Sequence, residues 1–238
     1  MGSEAALEPV PEDWSRALCV VAHPDDLEYG AAAVVARWTR QGKDVGYVLA
    51  TRGEAGIDGL PPAETGPLRE AEELASAAVV GVDDVVFLDH VDGLVVDGLD
   101  LRRDIAEQIR RFRPDVVVTM NFDLTWGGVA VNHADHRNVG LATLDAVRHA
   151  ANRWLDPGLG EPWGGVRFAL VAGASTASHY VDVSATLESG IESLRLHRAY
   201  IDGLGSGFDP DDFLRSNAKR QGEMAGIDHA VTFRLYEA

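Results

Sequence analysis

Two short clusters carry most of the candidate chemistry of this chain. The first is His23-Pro24-Asp25-Asp26, set directly after the apolar run Ala17-Leu18-Cys19-Val20-Val21-Ala22. His23 and Asp26 are three apart at an expected strand-to-helix corner, so both side chains can turn toward one point. Asp25 lies between them and points elsewhere. The second cluster is His133-Ala134-Asp135-His136, at the start of an expected helix. Histidines three apart on a helical turn share a face. Each cluster has a plainer alternative. Asp25 and Asp26 would suit helix caps that favour the positive end of the dipole, and His133 and His136 a solvated surface pair capped by Asp135.

Together the clusters supply two histidines and one aspartate for a single site. Three protein ligands leave a coordination position open, which is the pattern of a catalytic zinc site. Nitrogen and oxygen ligands also suit other divalent metals. An open zinc ion acidifies water and polarises a carbonyl. The reaction then needs a base for the water and an acid for the leaving amine. Asp25, next to Asp26, fits the base. His133 is placed to stabilise the oxyanion or protonate the amine, and Asp135 to orient His133 or His136. The set describes metal-assisted hydrolysis of an amide or ester.

The surrounding sequence predicts elements that would gather these residues. Apolar runs at Ala17–Ala22, Val45–Ala50, Val85–Leu88 and Val116–Met120 alternate with helical patterns at Leu27–Gln41, an Ala/Glu-rich stretch ending near Gly81, and Leu101–Phe112. Gly42 stands where a C-terminal helix glycine belongs. This rhythm predicts an α/β fold: a Rossmann-like, mostly parallel sheet with helices on both faces. In such a sheet ligands bind beyond the carboxyl ends of the strands, where the strand order reverses. Arg52–Pro67 and Asn121–Asn132 read as loops. His136–Trp154, Ala185–Ile201 and Asp211–Ala225 read as helices. Phe168–Ala172 and Tyr180–Val183 read as strands, and Ala230–Tyr236 as a last edge strand. No repeat or linker divides the chain, so residues 1–238 are expected to form one domain, with 1–14 as an N-terminal extension.

Charge excludes several partners. With 21 Lys+Arg against 38 Asp+Glu the net charge is −17, which opposes binding to nucleic acid or to an anionic membrane. No apolar run approaches the length of a membrane span. Met1–Trp14 is acidic and lacks the features of a signal peptide, so a cytoplasmic location is expected. Cys19, the single cysteine, excludes an intrachain disulfide and a Cys-rich zinc module. No Gly-x-Gly-x-x-Gly or Gly-x-Ser-x-Gly motif supports a nucleotide-binding or serine-hydrolase reading. A homo-oligomer is compatible with all of this.

At these residues the sequence resembles the PIG-L/LmbE-like N-acetylglucosaminyl deacetylase family. The resemblance runs through Ala22-His23-Pro24-Asp25-Asp26, Thr51-Arg52-Gly53-Glu54-Ala55-Gly56, Leu68-Arg69-Glu70-Ala71-Glu72-Glu73, Phe87–Gly93, Pro114-Asp115-Val116-Val117 and His133-Ala134-Asp135-His136. These motifs occur in the family's order over about the first two thirds of the chain. The resemblance implies a zinc-dependent deacetylase or amidase with Zn2+ on His23, Asp26 and His136. It implies Asp25 as general base, and His133 as transition-state stabiliser supported by Asp135. Arg69 and Asp92 match positions that contact sugar-type substrates, although Arg69 would also suit a surface ion pair with Glu72 or Glu73.

The sequence departs from the family in three places. Ala134 stands where Pro is usual, Leu27 separates the paired aspartates from Glu28, and His197-Arg198-Ala199-Tyr200 keeps only the His of a later motif. The loop Phe122–Val131, with Trp126, Gly127 and Gly128, suits either a wall or lid of the site or a packed surface loop. The expected activity is removal of an acyl group, acetyl above all, from an amine of a small molecule such as a GlcNAc-type conjugate or natural-product intermediate. A metal-dependent esterase or amidase acting on a non-sugar substrate, and a non-catalytic binding protein, are the alternatives.

Overall fold

The fold is described from a computed structural model that places residues 6–204, 207 and 209–238. Its elements are β1 (Glu8–Pro9), β2 (Arg16–Val21), α1 (Ala32–Arg40), β3 (Asp44–Leu49), α2 (Pro62–Val79), β4 (Asp84–Phe87), α3 (Leu99–Phe112) and β5 (Val116–Met120). A short hairpin follows, β6 (Thr125–Trp126) and β7 (Ala130–Val131). The chain then forms α4 (Ala134–Ala151), β8 (Phe168–Ala172), β9 (His179–Asp182), α5 (Leu187–Arg195), α6 (Arg198–Gly203), α7 (Pro210–Ala225) and β10 (Ala230–Glu237).

Eight strands form one sheet in the order β1-β9-β10-β8-β5-β2-β3-β4. Its pairs are parallel except where β10 runs antiparallel to both β8 and β9. The alternation of side chains in each strand divides the core in two. Ala17, Cys19 and Val21 face one layer with α1, α2, α5 and α7, whereas Leu18, Val20 and Ala22 face α3 and α4 on the other side. Both layers are apolar, which is why the central strands read as unbroken apolar runs. From β2 the chain winds outward to β3 and β4, then returns to the other side of β2 as β5. The strand order therefore reverses between β2 and β5, and the two polar clusters follow these two strands.

Several expected boundaries move, each for a local reason. The helix expected from Leu27 begins at Ala32, because residues 24–31 form turns. Asp25 has φ 95°, which no right-handed helix accommodates. The carboxylate of Asp26 accepts the backbone N–H groups of Ala22 and His23 (3.0 and 2.8 Å), tying the chain back on itself. The loop expected through Pro67 ends instead at Pro62, which occupies the first turn of α2, and Pro67 lies inside that helix. The ring removes one helical hydrogen bond, but Thr65, Gly66 and Arg69 beside it are buried. Tertiary packing holds the turn.

The helix expected over Ala185–Ile201 is broken into α5 and α6 at His197, whose ψ is 54°. Asn121–Asn132 contains the β6–β7 hairpin. The last strand is interior rather than an edge. The edge is β1, in the segment read as an extension, where Val10 and Trp14 also enter the core. Among the described residues no helix is long and apolar enough to cross a membrane.

Candidate metal centre

The turn after β2 and the start of α4 bring His23, Asp26 and His136 together. His23 Nδ1 lies 3.2 Å from His136 Nε2 and 3.6 Å from Asp26 Oδ2, and His136 Nε2 lies 3.2 Å from Asp26 Oδ1. Ligand atoms about 2.0–2.2 Å from a tetrahedral ion are separated by about 3.3–3.6 Å. The two contacts of His136 Nε2, to His23 Nδ1 and to Asp26 Oδ1, are close to that spacing, and the donor chemistry suits zinc or another divalent metal. His133 extends the cluster, with its ring centroid 5.1 Å from that of His23 and 5.3 Å from that of His136.

The surrounding groups fix which atoms face the centre. His23 Nε2 lies 3.0 Å from Asp92 Oδ1 and 3.3 Å from Asp135 Oδ2, which places its proton there and leaves the Nδ1 lone pair for a ligand. His136 Nδ1 donates to Asn132 Oδ1 (3.0 Å), which leaves Nε2 free in the same way. Asp26 uses Oδ2 on two backbone N–H groups and turns Oδ1 to His136. Burial disfavours the charge on Asp26, but the imidazoles of His136 and His23 outweigh it and hold the carboxyl far below its ordinary range. Burial likewise opposes a charge on His23, yet Asp26, Asp135 and Asp92 make that imidazole strongly basic.

Asp135 is fully buried at the first turn of α4. Its Oδ2 accepts the N–H of Gly93 (2.7 Å) and its Oδ1 that of Val95 (3.2 Å), so it ties the β4–α3 loop to the centre. Its carboxylate faces His23 rather than His136, and the orienting group on His136 is Asn132. His133 is half exposed. Its Nδ1 accepts the backbone N–H of Asp135 (3.2 Å), which assigns the ring proton to Nε2. Burial, with His23 adding, lowers the pKa of His133.

Asp25, the residue before Asp26, lies in the same turn. Burial pushes its carboxyl up to about 7, against the pull of Arg69 and with the added repulsion of Asp26. Arg69 Nη2 lies 3.1 Å from Asp25 Oδ1. Tyr200, on α6, stands near Asp25, and burial together with that carboxylate raises the pKa of its phenol; its ring lies 4.3 Å from the Arg69 guanidinium carbon.

Arg69 is 2% exposed. Its guanidinium donates to the carbonyls of Gly53 (3.1 Å) and Pro24. It lies beneath the turn that carries Asp25, where it clamps two loops, and it makes no surface ion pair. The clamp explains the glycine at position 53: a Cβ there would fall 2.1 Å from Arg69 Nη1. Asp92 is placed behind His23, and its Oδ2 accepts the N–H of Ala55 (2.9 Å).

A cavity of about 630 Å³ opens onto this centre. Asp26 and His136 lie at one end, and Tyr29, Trp126, Phe213 and Arg220 contribute to its walls. Trp126 packs edge-on against His136 with centroids 5.9 Å apart, so the β6–β7 hairpin forms a wall of the site. Sequence reasoning did not single out Asn132 and Tyr200. Their signals were weak: a polar residue one helical turn before His136, and a tyrosine three residues after His197.

A model of the PIG-L family, described as GlcNAc-PI de-N-acetylase, matches residues 18–147. Diacetylchitobiose deacetylase of Thermococcus kodakarensis is 29% identical, over 94% of this chain and 84% of that protein. A 1D-myo-inositol 2-acetamido-2-deoxy-alpha-D-glucopyranoside deacetylase of Thermobispora bispora is 31% identical over 76% of this chain, and the match spans 63% of that protein's length. The solved structure of N,N'-diacetylchitobiose deacetylase from Pyrococcus horikoshii superposes with a TM-score of 0.84 over 95% of this chain and 85% of that one. Its sequence identity is 24%, so this likeness concerns the fold.

Proposed function

The chain belongs to the PIG-L family, and on that premise we propose that it is a metal-dependent N-deacetylase acting on a small acetylated amino sugar or a related natural-product amine. The observation that carries this reading is the meeting of His23 Nδ1 and Asp26 Oδ1 at His136 Nε2, with Asp25 as the residue beside Asp26. The names of two relatives, which are deacetylases of an acetylated chitobiose and of an acetamido sugar conjugate, point to the same substrate class.

His23, Asp26 and His136 would hold the metal, with Zn2+ as the ion this donor set suits best. When bound, the ion supplies Lewis-acid polarisation of the amide carbonyl and acidifies water. Asp25 takes the proton of the attacking water, and a carboxyl brought up to about 7 by burial is suited to exchange protons near neutral pH. Arg69 holds that carboxylate in place. His133 presents Nε2–H to the oxygen on which charge develops, and the proton that Asp25 has taken from the water is returned to the leaving amine. Asp92 and Asp135 keep His23 in one tautomer. The cavity takes the remainder of the substrate, and Trp126 offers an aromatic face beside His136 on which a sugar ring can rest.

The test is hydrolysis of N,N'-diacetylchitobiose, followed as acetate release. Activity is expected to vanish in metal-depleted protein and to return with zinc. Asp25→Asn keeps the turn and the metal but lowers kcat by about 10²–10⁴-fold, the range for a general base. Full activity in the metal-free protein, or in Asp25→Asn, would exclude this mechanism.

A further inference from the structure

Outside the cavity, on the far side of Asp25, lies a group of buried polar side chains that the hydrolysis above leaves unused. Glu28, Glu73 and His197 are each at most 2% exposed. His197 Nε2 lies 3.6 Å from Glu73 Oε2 and 3.8 Å from Glu28 Oε2. The three residues come from separate parts of the chain: the turn after β2, the middle of α2, and the joint between α5 and α6. Glu28 Oε1 accepts the hydroxyl of Ser76 (2.6 Å), whose Oγ lies 2.7 Å from that of Ser193. Glu73 Oε2 accepts the backbone N–H of Asp25 (3.3 Å). That contact reaches the catalytic turn.

Two carboxylates and an imidazole are costly to bury, and an apolar trio of the same volume would join these helices at least as firmly. Such a group calls for a task other than stability, and Asp25 supplies one. Its φ of 95° is a strained conformation for a residue with a Cβ, kept only where the surroundings over-determine it. In that conformation the carboxylate meets Arg69 and the N–H meets Glu73. A relaxed φ would turn both groups away from their partners.

We propose that Glu73, braced by His197 and Glu28, is a positioning residue that fixes the Asp25 N–H and so holds the general base in its left-handed turn. The inference rests on Asp25 being that base. His197 acts through Glu73. It sits at the break that also sets α6, from which Tyr200 stacks on Arg69.

The zinc-loaded enzyme, acting on N,N'-diacetylchitobiose, provides the first test. Glu73→Met is expected to lower kcat by about 10²-fold, as when a reacting group is misplaced by about 1 Å, with KM and bound metal unchanged. Glu73→Gln keeps an acceptor for the Asp25 N–H and restores most of the rate. A purely structural role would move folding, KM and metal content together and would give no such rescue.

A crystal structure of Glu73→Met reads the inference without any assay. Asp25 is expected to leave φ 95° and its carboxylate to leave Arg69. If both stay in place, the inference is overturned, whatever the substrate. It is also overturned by an unchanged kcat, or by a second equivalent of metal that Glu73→Met loses, since the cluster would then be a metal site. A wild type inactive on the disaccharide counts against the proposed reaction, and the crystal structure still decides the positioning role. His197→Gln removes the brace and is expected to lower kcat about tenfold. It gives the same comparison if Glu73→Met does not fold.

Discussion

Arg69 Nη2 lies 3.1 Å from Asp25 Oδ1, and both side chains are almost closed to solvent. The same guanidinium holds the carbonyls of Pro24 and Gly53. One cation from α2 thus holds the Asp25 carboxylate and also tunes its charge, because Arg69 opposes the upward push that burial gives to it.

Arg69→Met should therefore change the pH profile as well as the rate. Removing the cation raises the Asp25 pKa above about 7. The base must be unprotonated to work, so the acid limb of kcat/KM moves to higher pH and the loss of activity is largest on the acid side. A profile of kcat/KM from pH 5 to 9 checks this. An Arg69 that contacted substrate alone would lower the whole profile without moving its limb.

Gly53→Ala should disturb the clamp from the opposite side. Gly53 has φ 60°, and a Cβ there would meet Arg69 Nη1 at 2.1 Å. Strain and overpacking together should cost roughly 2–4 kcal/mol. In the Arg69→Met background the clash is relieved, so the cost of Gly53→Ala should shrink. Denaturant unfolding of the four proteins in this cycle measures the coupling.

How much of this was legible in the sequence follows from what each residue depends on. His23, Asp25, Asp26, His133 and His136 were legible because each directly follows a strand or opens a helix, and topology does the rest at the β2–β5 reversal. Arg69 was legible as a residue but not in its setting. Its partners, Pro24 and Gly53, belong to two other loops, and helical periodicity says nothing about them. Asn132 was hidden because its part is a set of tertiary hydrogen bonds, Oδ1 on His136 Nδ1 and Nδ2 on the carbonyls of Asn121 and Asp123. β1 is two residues long and takes its form from β9. The break at His197 follows from burial against Glu28 and Glu73, contacts that local propensity does not encode.

Asn132→Ala should weaken metal binding, and it also frees the carbonyls of Asn121 and Asp123 that Nδ2 holds. The variant removes the acceptor that holds His136 Nδ1–H and keeps Nε2 toward the centre. Loss of such a partner lowers metal affinity by about 10–100-fold. Competition with a chelator of known affinity gives the ratio. Equal affinities in wild type and Asn132→Ala would show that His136 needs no orienting partner.

Glu12 tests a part of the fold remote from the site, with a definite sign in pH. Its carboxylate accepts Arg37 Nε and Nη2 (both 3.0 Å), Trp38 Nε1 (2.9 Å) and Gln41 Nε2 (3.0 Å), pinning the N-terminal segment to α1. Burial disfavours the charge, but these donors, with Arg37 foremost, outweigh it and lower the pKa from 4.5. A folded pKa below the unfolded one means stability that is fully present above about 4.5 and is lost as pH falls through the folded value. Glu12→Gln should therefore be about 2 kcal/mol less stable than wild type at pH 7, since hydrogen bonds to a charged acceptor are lost. Below pH 4.5 the gap should narrow as the wild-type carboxylate becomes protonated. Thermal unfolding of both proteins between pH 3 and 8 measures the two curves, and parallel curves would show that the charge on Glu12 contributes nothing.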